Sequence, residues 1–347
     1  MENYSVIDLF CGVGGLTHGF VLEKFNVIAG IDSDPSCKYA YEKNNATKFI
    51  EENVAELSGR DVAKLYPDGE IKVLIGCAPC QPFSTYTNKL KEKNQKQWSL
   101  LDSFGRIIAK VQPEIISMEN VPSLGSKQIF KDFVDLLVTN DYHVTWSNIY
   151  CPDYGVPQQR TRLVLLASKY EKIHLIEPTH EPEKYLTVQE TIGHLPAIEA
   201  GEIYDDDTLH RSSRMSPLNL ERIKNSKPGG TWEDWAESLV APCHKKDSGS
   251  SYYNVYGRME WGDVSPTITT QFTGFGNGRF GHPEQNRALS LREGALLQTF
   301  PPYYEFIDPD SEYKITYITK YIGNAVPVQL ARVIAKSIRQ HLEEHCK

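Results

Sequence analysis

Short apolar runs alternate with amphipathic stretches through the first half of this 347-residue chain. Where apolar residues recur every three to four positions we predict a helix, and each short apolar run between such stretches predicts a strand. This alternation predicts right-handed crossovers and a mostly parallel, doubly wound α/β sheet. The predicted strands are 4–10, 26–32, 71–77, 113–120, 143–150 and 161–168, and the predicted helices are 16–24, 36–45, 57–66, 100–111 and 127–140.

The pattern changes after residue 186. Residues 187–286 are rich in Pro, Gly, Ser and Trp and show little periodicity, whereas amphipathic stretches return at 288–300 and 327–345. We therefore predict a main α/β domain over 1–186, a loop- and β-rich inserted domain over 187–286, and helices over 287–347 that complete the main domain.

Composition narrows the class of protein. No apolar run approaches the roughly 20 residues that a membrane span requires, and the N-terminus does not resemble a secretion signal. Seven scattered cysteines predict no disulfide framework and a reducing cytoplasm. The net charge of −8 argues mildly against a nucleic-acid partner, but base is concentrated at 87–98 and 211–227, so one side of the protein can still hold a phosphate backbone.

A glycine-rich turn, "DLFCGVGG", follows the first predicted strand. Its glycines permit a tight turn and a close approach of backbone to ligand, although Thr17 stands where a dinucleotide fingerprint requires glycine. Asp32 ends the second strand, where a carboxylate accepts both hydroxyls of a ribose or caps the helix that begins near Pro35. Together these features predict a nucleoside cofactor. The glycines are Gly12, Gly14 and Gly15.

Three hypotheses compete for the box "GCAPCQPFS". A zinc site would need a second ligand pair, which the sequence lacks, so we predict no metal. A redox dithiol fits the spacing of Cys77 and Cys80, but such a box belongs to the first βα unit of a smaller domain. We favour the third hypothesis, in which Cys77 lies at the buried strand end and Cys80, beyond it at the sheet edge, is a nucleophile.

The next predicted strand, "PEIISMENV", ends in Glu119. Because parallel strands meet at one edge, we expect this carboxylate near Cys80, unless it caps the following helix or pairs with an arginine. Cysteine and glutamate without an evident histidine partner suit addition of a thiolate to an electron-poor ring whose nitrogen the acid binds.

Six motifs in order resemble those of bacterial DNA (cytosine-5)-methyltransferases. They are "DLFCGVGG", "GCAPCQPFS", "MENV", "QQRTR", "LSLREGALLQTFP" and "YIGNAVP", and the resemblance covers nearly the whole chain. It implies a Rossmann-like methyltransferase domain with an inserted target-recognition domain, which transfers a methyl group from S-adenosyl-L-methionine to carbon 5 of a flipped cytosine and leaves S-adenosyl-L-homocysteine.

The resemblance also implies roles for individual residues. Cys80 adds to carbon 6, Glu119 binds ring nitrogen 3, and Arg160 and Arg162 hold the base and a nearby phosphate, although either arginine could instead pair with an acid. The family often has an aromatic residue at the position of Ser33 and an aspartate at that of Asn53. The implied cofactor residues are Phe10, Gly12, Gly14, Gly15, Asp32, Ser33, Asn53, Val54, Pro79, Leu100 and Asn324.

For DNA, the stretch "TYTNKLKEKNQKQWSLL" resembles the loop that closes over the substrate. Its lysines suit phosphate contact, and Thr267-Ile268 either matches the family's pair in the recognition domain or is an ordinary strand. Double-stranded DNA is thus the expected partner of a protein acting as a monomer, with a cognate restriction endonuclease as a functional partner. The implied DNA-binding residues are Gln81, Ser84, Lys89, Lys91, Thr267 and Ile268.

The nearest rival with the same fold is a tRNA cytosine-5 methyltransferase. That branch usually carries Cys-Phe-Thr in the inserted region, which is absent from this sequence. A catalytically silent DNA-binding relative is disfavoured because Cys80, Glu119 and both arginines are present.

Overall fold

A computed structural model describes residues 4–79, 91–247, 249, 251–310 and 312–345, with backbone alone for 91–99. Four predicted site residues, Cys80, Gln81, Ser84 and Lys89, lie outside the described residues, as does the side chain of Lys91.

A seven-stranded sheet forms the centre of the main domain. Its strand order is β3-β2-β1-β4-β5-β8-β6, in which the first five strands are parallel and β8 and β6 are antiparallel to their neighbours. These strands are β1 (Tyr4–Leu9), β2 (Asn26–Asp32), β3 (Lys48–Glu51), β4 (Ile71–Gly76), β5 (Ile115–Asn120), β6 (His143–Tyr150) and β8 (Thr161–Ser168).

Helices cover both faces of this sheet. The helices in the described residues are α1 (Gly15–Leu22), α2 (Lys38–Asn45), α3 (Gly59–Ala63), α4 (Lys91–Val111), α5 (Gln128–Thr139), α6 (Val188–Ile192), α7 (Pro217–Lys224), α8 (Leu291–Leu297), α9 (Ile315–Asn324) and α10 (Val328–His345). Shorter strands lie outside the main sheet: β7 (Gln158–Gln159), β9 (Ile203–Tyr204), β10 (Asp207–Arg211) and β11 (Ser265–Pro266).

Alternation along the strands explains why both faces are covered. In β4, Val73 and Ile75 belong to the apolar cluster with α1 and α10, whereas Leu74 belongs to the cluster with α4 and α5. Successive side chains of a strand point to opposite faces of the sheet. An unbroken apolar run is therefore fully buried only where helices cover both faces.

The doubly wound α/β fold is confirmed, and the structure contains a strand at each of the six predicted positions. The short strand β3 and the helix α9 were not predicted, and neither were the short elements α6, α7, β7, β9, β10 and β11. Helix α4 begins at Lys91 rather than at the predicted residue 100. The antiparallel placement of β8 between β5 and β6 was also not predicted. No helix within the described ranges is long and apolar enough to cross a membrane.

Buried arginines organise the region between 187 and 286. Arg258 is 5% exposed and donates to the backbone carbonyls of Ile223, Ser226, His282 and Gln285. Arg222, also buried, donates to a carbonyl and lies over an aromatic ring. Such bonds satisfy backbone carbonyls that a loop-rich region would otherwise bury without partners.

Candidate active site

One cavity of about 1690 Å³ lies between the carboxyl edge of the sheet and residues of the segment 187–286, which we call the insert after its predicted role. The ends of β1, β2, β4 and β5 contribute its floor, as expected for ligand sites of open α/β sheets. Segments 252–280 of the insert and the end of α9 form the opposite wall.

The glycine-rich turn between β1 and α1 has the tight backbone that its sequence predicts. Gly12 and Gly14 have φ of +50° and +89°, and even Phe10 is left-handed at 62°. A side chain on Gly14 would clash with Asn45 Nδ2 at 2.7 Å, whereas one on Gly12 would meet no atom within 4 Å. The space above Gly12 therefore remains open to a ligand that approaches the backbone.

Asp32 binds this turn directly. Its carboxylate accepts Gly12 N and Asp34 N, each at 2.9 Å. Burial raises the pKa of Asp32, while these backbone bonds favour its ionised form. Asp32 lines the cavity, as the ligand hypothesis requires, but it is not the helix cap: Asp34 caps the short helix at Pro35–Cys37 by accepting a hydrogen bond from Ser36 N.

A second carboxylate, Asp8, lies beneath the turn. It is 1% exposed, and Thr17 Oγ1 donates to Oδ2 at 2.7 Å. Burial raises its pKa to about 7. Among the described residues Oδ1 has no hydrogen-bond partner, although Asp8 lines the cavity. The open cradle above Gly12 and this unpaired acceptor fit a polar or cationic nucleoside cofactor such as S-adenosylmethionine.

The predicted cofactor residues divide into two groups. Asn53 is exposed and bonded to Glu56, Val54 is buried, and neither they nor Gly14 and Leu100 line the cavity in the described structure. The predicted cofactor residues that do line the cavity are Phe10, Gly12, Gly15, Asp32, Ser33, Pro79 and Asn324.

Glu119 lies in β5 at the cavity floor and is 2% exposed. Arg162 Nε, from β8, forms an ion pair with Glu119 Oε1 at 2.9 Å, and Oε1 accepts no hydrogen bond from the described residues. Cys77 Sγ donates to Oε2 at 2.9 Å. The carboxylate is therefore held from both neighbouring strands, and Oε1 can still accept a donor.

The expectation for Cys77 was wrong in one respect. Strand β4 ends at Gly76, so Cys77 lies just beyond the strand and is half-buried. Because β4 and β5 are parallel with Gly76 opposite Met118, the next residue of each strand comes to the same place. Sequence spacing indicated this edge but did not predict a bond between Cys77 and Glu119.

Arg160 is buried and has different partners from Arg162. Its Nη1 and Nη2 donate to the carbonyls of Ile268 and Ala325 at 3.0 and 3.2 Å. Burial, together with the charge of Arg162, lowers its pKa to about 9. In this structure Arg160 joins the sheet edge to the insert and to the end of α9.

Thr267-Ile268 follows β11, which pairs with β7. Thr267 Oγ1 donates to the Gln159 carbonyl, and Ile268 N donates to Gln158 Oε1 at 3.1 Å. Gln158 Nε2 in turn donates to Gln298 Oε1 at 2.7 Å. These buried amides form a bridge from the insert to α8 that the sequence analysis did not identify.

The insert also contributes polar groups that the motifs did not indicate. Arg279 Nε and Nη2 donate to Asn254 Oδ1 at 3.3 and 3.2 Å, and both residues line the cavity. The described lining contains six carboxylates and four cations, so it is not basic. The carboxylates are Asp8, Asp32, Asp34, Glu119, Glu260 and Asp263, and the cations are Arg160, Arg162, Arg279 and Lys320.

Comparison with known proteins agrees with this arrangement. Residues 4–340 match the family model described as C-5 cytosine-specific DNA methylase. Type II methylase M.HgiDII of Herpetosiphon aurantiacus is 56% identical over 342 residues, covering 98% of this chain and 96% of that protein. Type II methyltransferase M.PspPI of a Psychrobacter species is 30% identical, covering 97% and 79%.

A solved structure shares the fold. It is described as a putative DNA modification methyltransferase encoded within a prophage of E. coli and superimposes with a TM-score of 0.75 at 20% identity, covering 98% of this chain and 100% of that one.

Proposed function

Because the chain belongs to the C-5 cytosine-specific DNA methylase family and is a DNA (cytosine-5)-methyltransferase, we propose that it acts through a transient bond between Cys80 and the target cytosine. The tRNA alternative has less support, since the matching family is described as specific for DNA. The observation that carries the proposal is the position of Glu119, buried at the edge of the sheet where the chain leads from Cys77 towards Cys80.

The proposed chemistry begins with a cytosine swung out of the duplex, since its ring carbons cannot be reached within the stack. The Cys80 thiolate forms a bond to carbon 6 while Glu119 hydrogen-bonds nitrogen 3, so the electron pair displaced by sulfur makes carbon 5 nucleophilic. After carbon 5 has accepted the methyl group, a base such as a water molecule removes the carbon-5 proton. The electron pair of that C–H bond restores the double bond and releases Cys80 as the thiolate. A buried glutamate contributes about 10²–10⁴-fold to such a step.

Family membership implies S-adenosylmethionine as the methyl donor, and when bound it supplies the electrophilic methyl group that carbon 5 accepts. We assign its binding to the residues around the open turn. Asp32 would accept the ribose hydroxyls, Phe10 and Gly12 would border the methionine part, and Asn324 would close the cavity from α9.

Duplex DNA would enter between the sheet edge and the insert. We propose 187–286 as the target-recognition domain. The predicted loop 85–101 is helical from Lys91 onward, where α4 begins, so we propose residues 85–90 together with the first turns of α4 as the segment that closes over DNA. Thr267 donates a hydrogen bond to the carbonyl of Gln159, the residue before Arg160. It would thereby set the distance between the recognised sequence and the flipped base. Action as a monomer and pairing with a restriction endonuclease belong to the same proposal.

Bisulfite sequencing of DNA from cells that express the protein tests this function. We expect protected cytosines at one position of one recurring sequence, and none in cells that express Cys80→Ser. An active, folded preparation that leaves every cytosine unprotected would refute the proposal.

A further inference from the structure

We propose that Cys77 is a positioning residue for Glu119, whose carboxylate plane it fixes for the incoming cytosine. This inference rests on the proposed role of Glu119 as the group that binds the base. It concerns a second thiol, three residues before the proposed nucleophile, that the reaction itself does not use.

The sheet register creates the contact. Strands β4 and β5 run parallel, with Gly76 opposite Met118, so Cys77 and Glu119 follow as neighbours at the edge. The Cys77 thiol donates to Glu119 Oε2 at 2.9 Å. The contact lies inside the cavity, since both residues line it.

The orientation of the Glu119 carboxylate requires a restraint beyond side-chain packing. The last torsion of a glutamate side chain has a broad energy profile, so packing alone fixes its plane poorly. Arg162 Nε forms an ion pair with Oε1 at 2.9 Å and restrains that oxygen from one side, but Oε1 accepts no directed hydrogen bond from the described residues. A directed bond from the Cys77 thiol to Oε2 determines the rotation about that torsion.

A fixed plane matters because the edge of a cytosine ring is flat. Its nitrogen 3 and amino group can both meet a carboxylate only when the two planes nearly coincide. Cys77 uses one lone pair of Oε2, so Oε1 is left to share a proton with nitrogen 3 and the second lone pair of Oε2 is left to accept the amino group. A loose carboxylate would bind the same base but spend less time in the reactive arrangement.

The test compares Cys77→Ala, which removes the donor, with Cys77→Ser, which retains one. We expect kcat for methyl transfer to fall about 3- to 10-fold in C77A and to stay within about twofold of wild type in C77S. The KM for S-adenosylmethionine should be unchanged in both, since Cys77 acts on the base side.

Two further measurements separate positioning from packing. In a Glu119→Gln background, C77A should cause no additional loss of single-turnover rate, because the residue acts through Glu119. Cys243→Ala is the control for loss of a thiol elsewhere: Cys243 is exposed and does not line the cavity, so kcat should stay within about twofold of wild type.

Equal kcat in wild type and C77A would overturn the inference, as would equal losses in C77A and C77S that follow their thermal stability. If the wild-type protein methylates cytosine and C77A matches it, only this inference fails. If the wild-type protein modifies no cytosine, the proposed function fails instead.

Discussion

A glutamate lies near each end of β5, and only one of the two lines the cavity. Glu114 precedes the strand and accepts Lys72 N at 2.7 Å, whereas Glu119 lies at the opposite end among the cavity residues. The pair provides a test of Glu119 with an internal control of the same chemistry, since Glu→Gln preserves size and one acceptor oxygen.

We expect Glu119→Gln to lower the single-turnover rate of methyl transfer by about 10²–10³-fold, because the amide cannot share a proton with nitrogen 3. Glu114→Gln should stay within about twofold, since its amide oxygen can still accept Lys72 N. The rate would be measured with radiolabelled methyl donor on a duplex carrying the recognised sequence. Similar losses in both variants would show that the effect is structural.

At the scale of elements, the conformation of the loop that precedes α8 depends on the neutral form of His282. His282 Nδ1 accepts Glu284 N and Gln285 N at 3.1 and 2.9 Å. Burial lowers the pKa of His282 to about 4, although the neighbouring Glu293 opposes this shift. Protonation of Nδ1 would break both backbone bonds, so the folded protein resists it.

The sign of the pH effect follows from this lowered pKa. Below about 6.5 the unfolded chain binds a proton on this residue that the folded chain does not bind until about 4, so the free energy of unfolding falls as the pH drops through that range. We expect His282→Asn, which keeps an acceptor but does not titrate, to lose on the order of 2 kcal/mol less stability than wild type between pH 7 and 5.

Urea unfolding at the two pH values measures this difference, with exposed His174→Asn as the control that should match wild type. Asp8, whose raised pKa acts in the opposite direction, is present in every protein and cancels in the comparison. Parallel pH profiles for H282N and wild type would contradict the argument.

Helix α9 is joined to the insert through a glycine. A side chain on Gly323 would overlap the backbone of Thr269 and Thr270. We expect Gly323→Ala to cost about 1–3 kcal/mol of stability, because one of the two packed segments must move. Gly262→Ala, in the same insert with no atom within 4 Å, should be near neutral. Equal thermal unfolding midpoints for both variants would refute this coupling.

The elements differ in how far their sequence determines them. Strands such as β4 were predictable because burial on both faces requires an unbroken run of apolar residues, which is visible in the sequence. The four-residue strand β3 is too short to show a period, and β-branched residues obscure helix α9. For the site, the edge that holds Glu119 could be inferred from chain order. The partners of Arg160 and Cys77 could not, because they depend on register and on segments more than 100 and 40 residues away, respectively.

At the scale of the whole molecule, charge poses a problem for a DNA-binding protein. The net charge is −8, and the described lining of the cavity is not basic. Two arginines of the insert, Arg222 and Arg258, are buried against backbone carbonyls and are therefore not available to phosphate. Concentrated base is found in the stretch 87–98 and among exposed lysines of the insert, such as Lys224, Lys227, Lys245 and Lys246.

The salt dependence of DNA affinity distinguishes which of these groups of lysines contacts phosphate. Each phosphate contact adds about 0.9 to the slope of log affinity against log salt. If the stretch 87–98 closes over DNA, replacing Lys89 and Lys91 by Gln should lower that slope by about 2, measured by fluorescence anisotropy of a labelled duplex. Replacing Lys224 and Lys227 should change it little. The reverse result would assign the phosphate contacts to the insert, and the acidic cavity would then be entered from the recognition side.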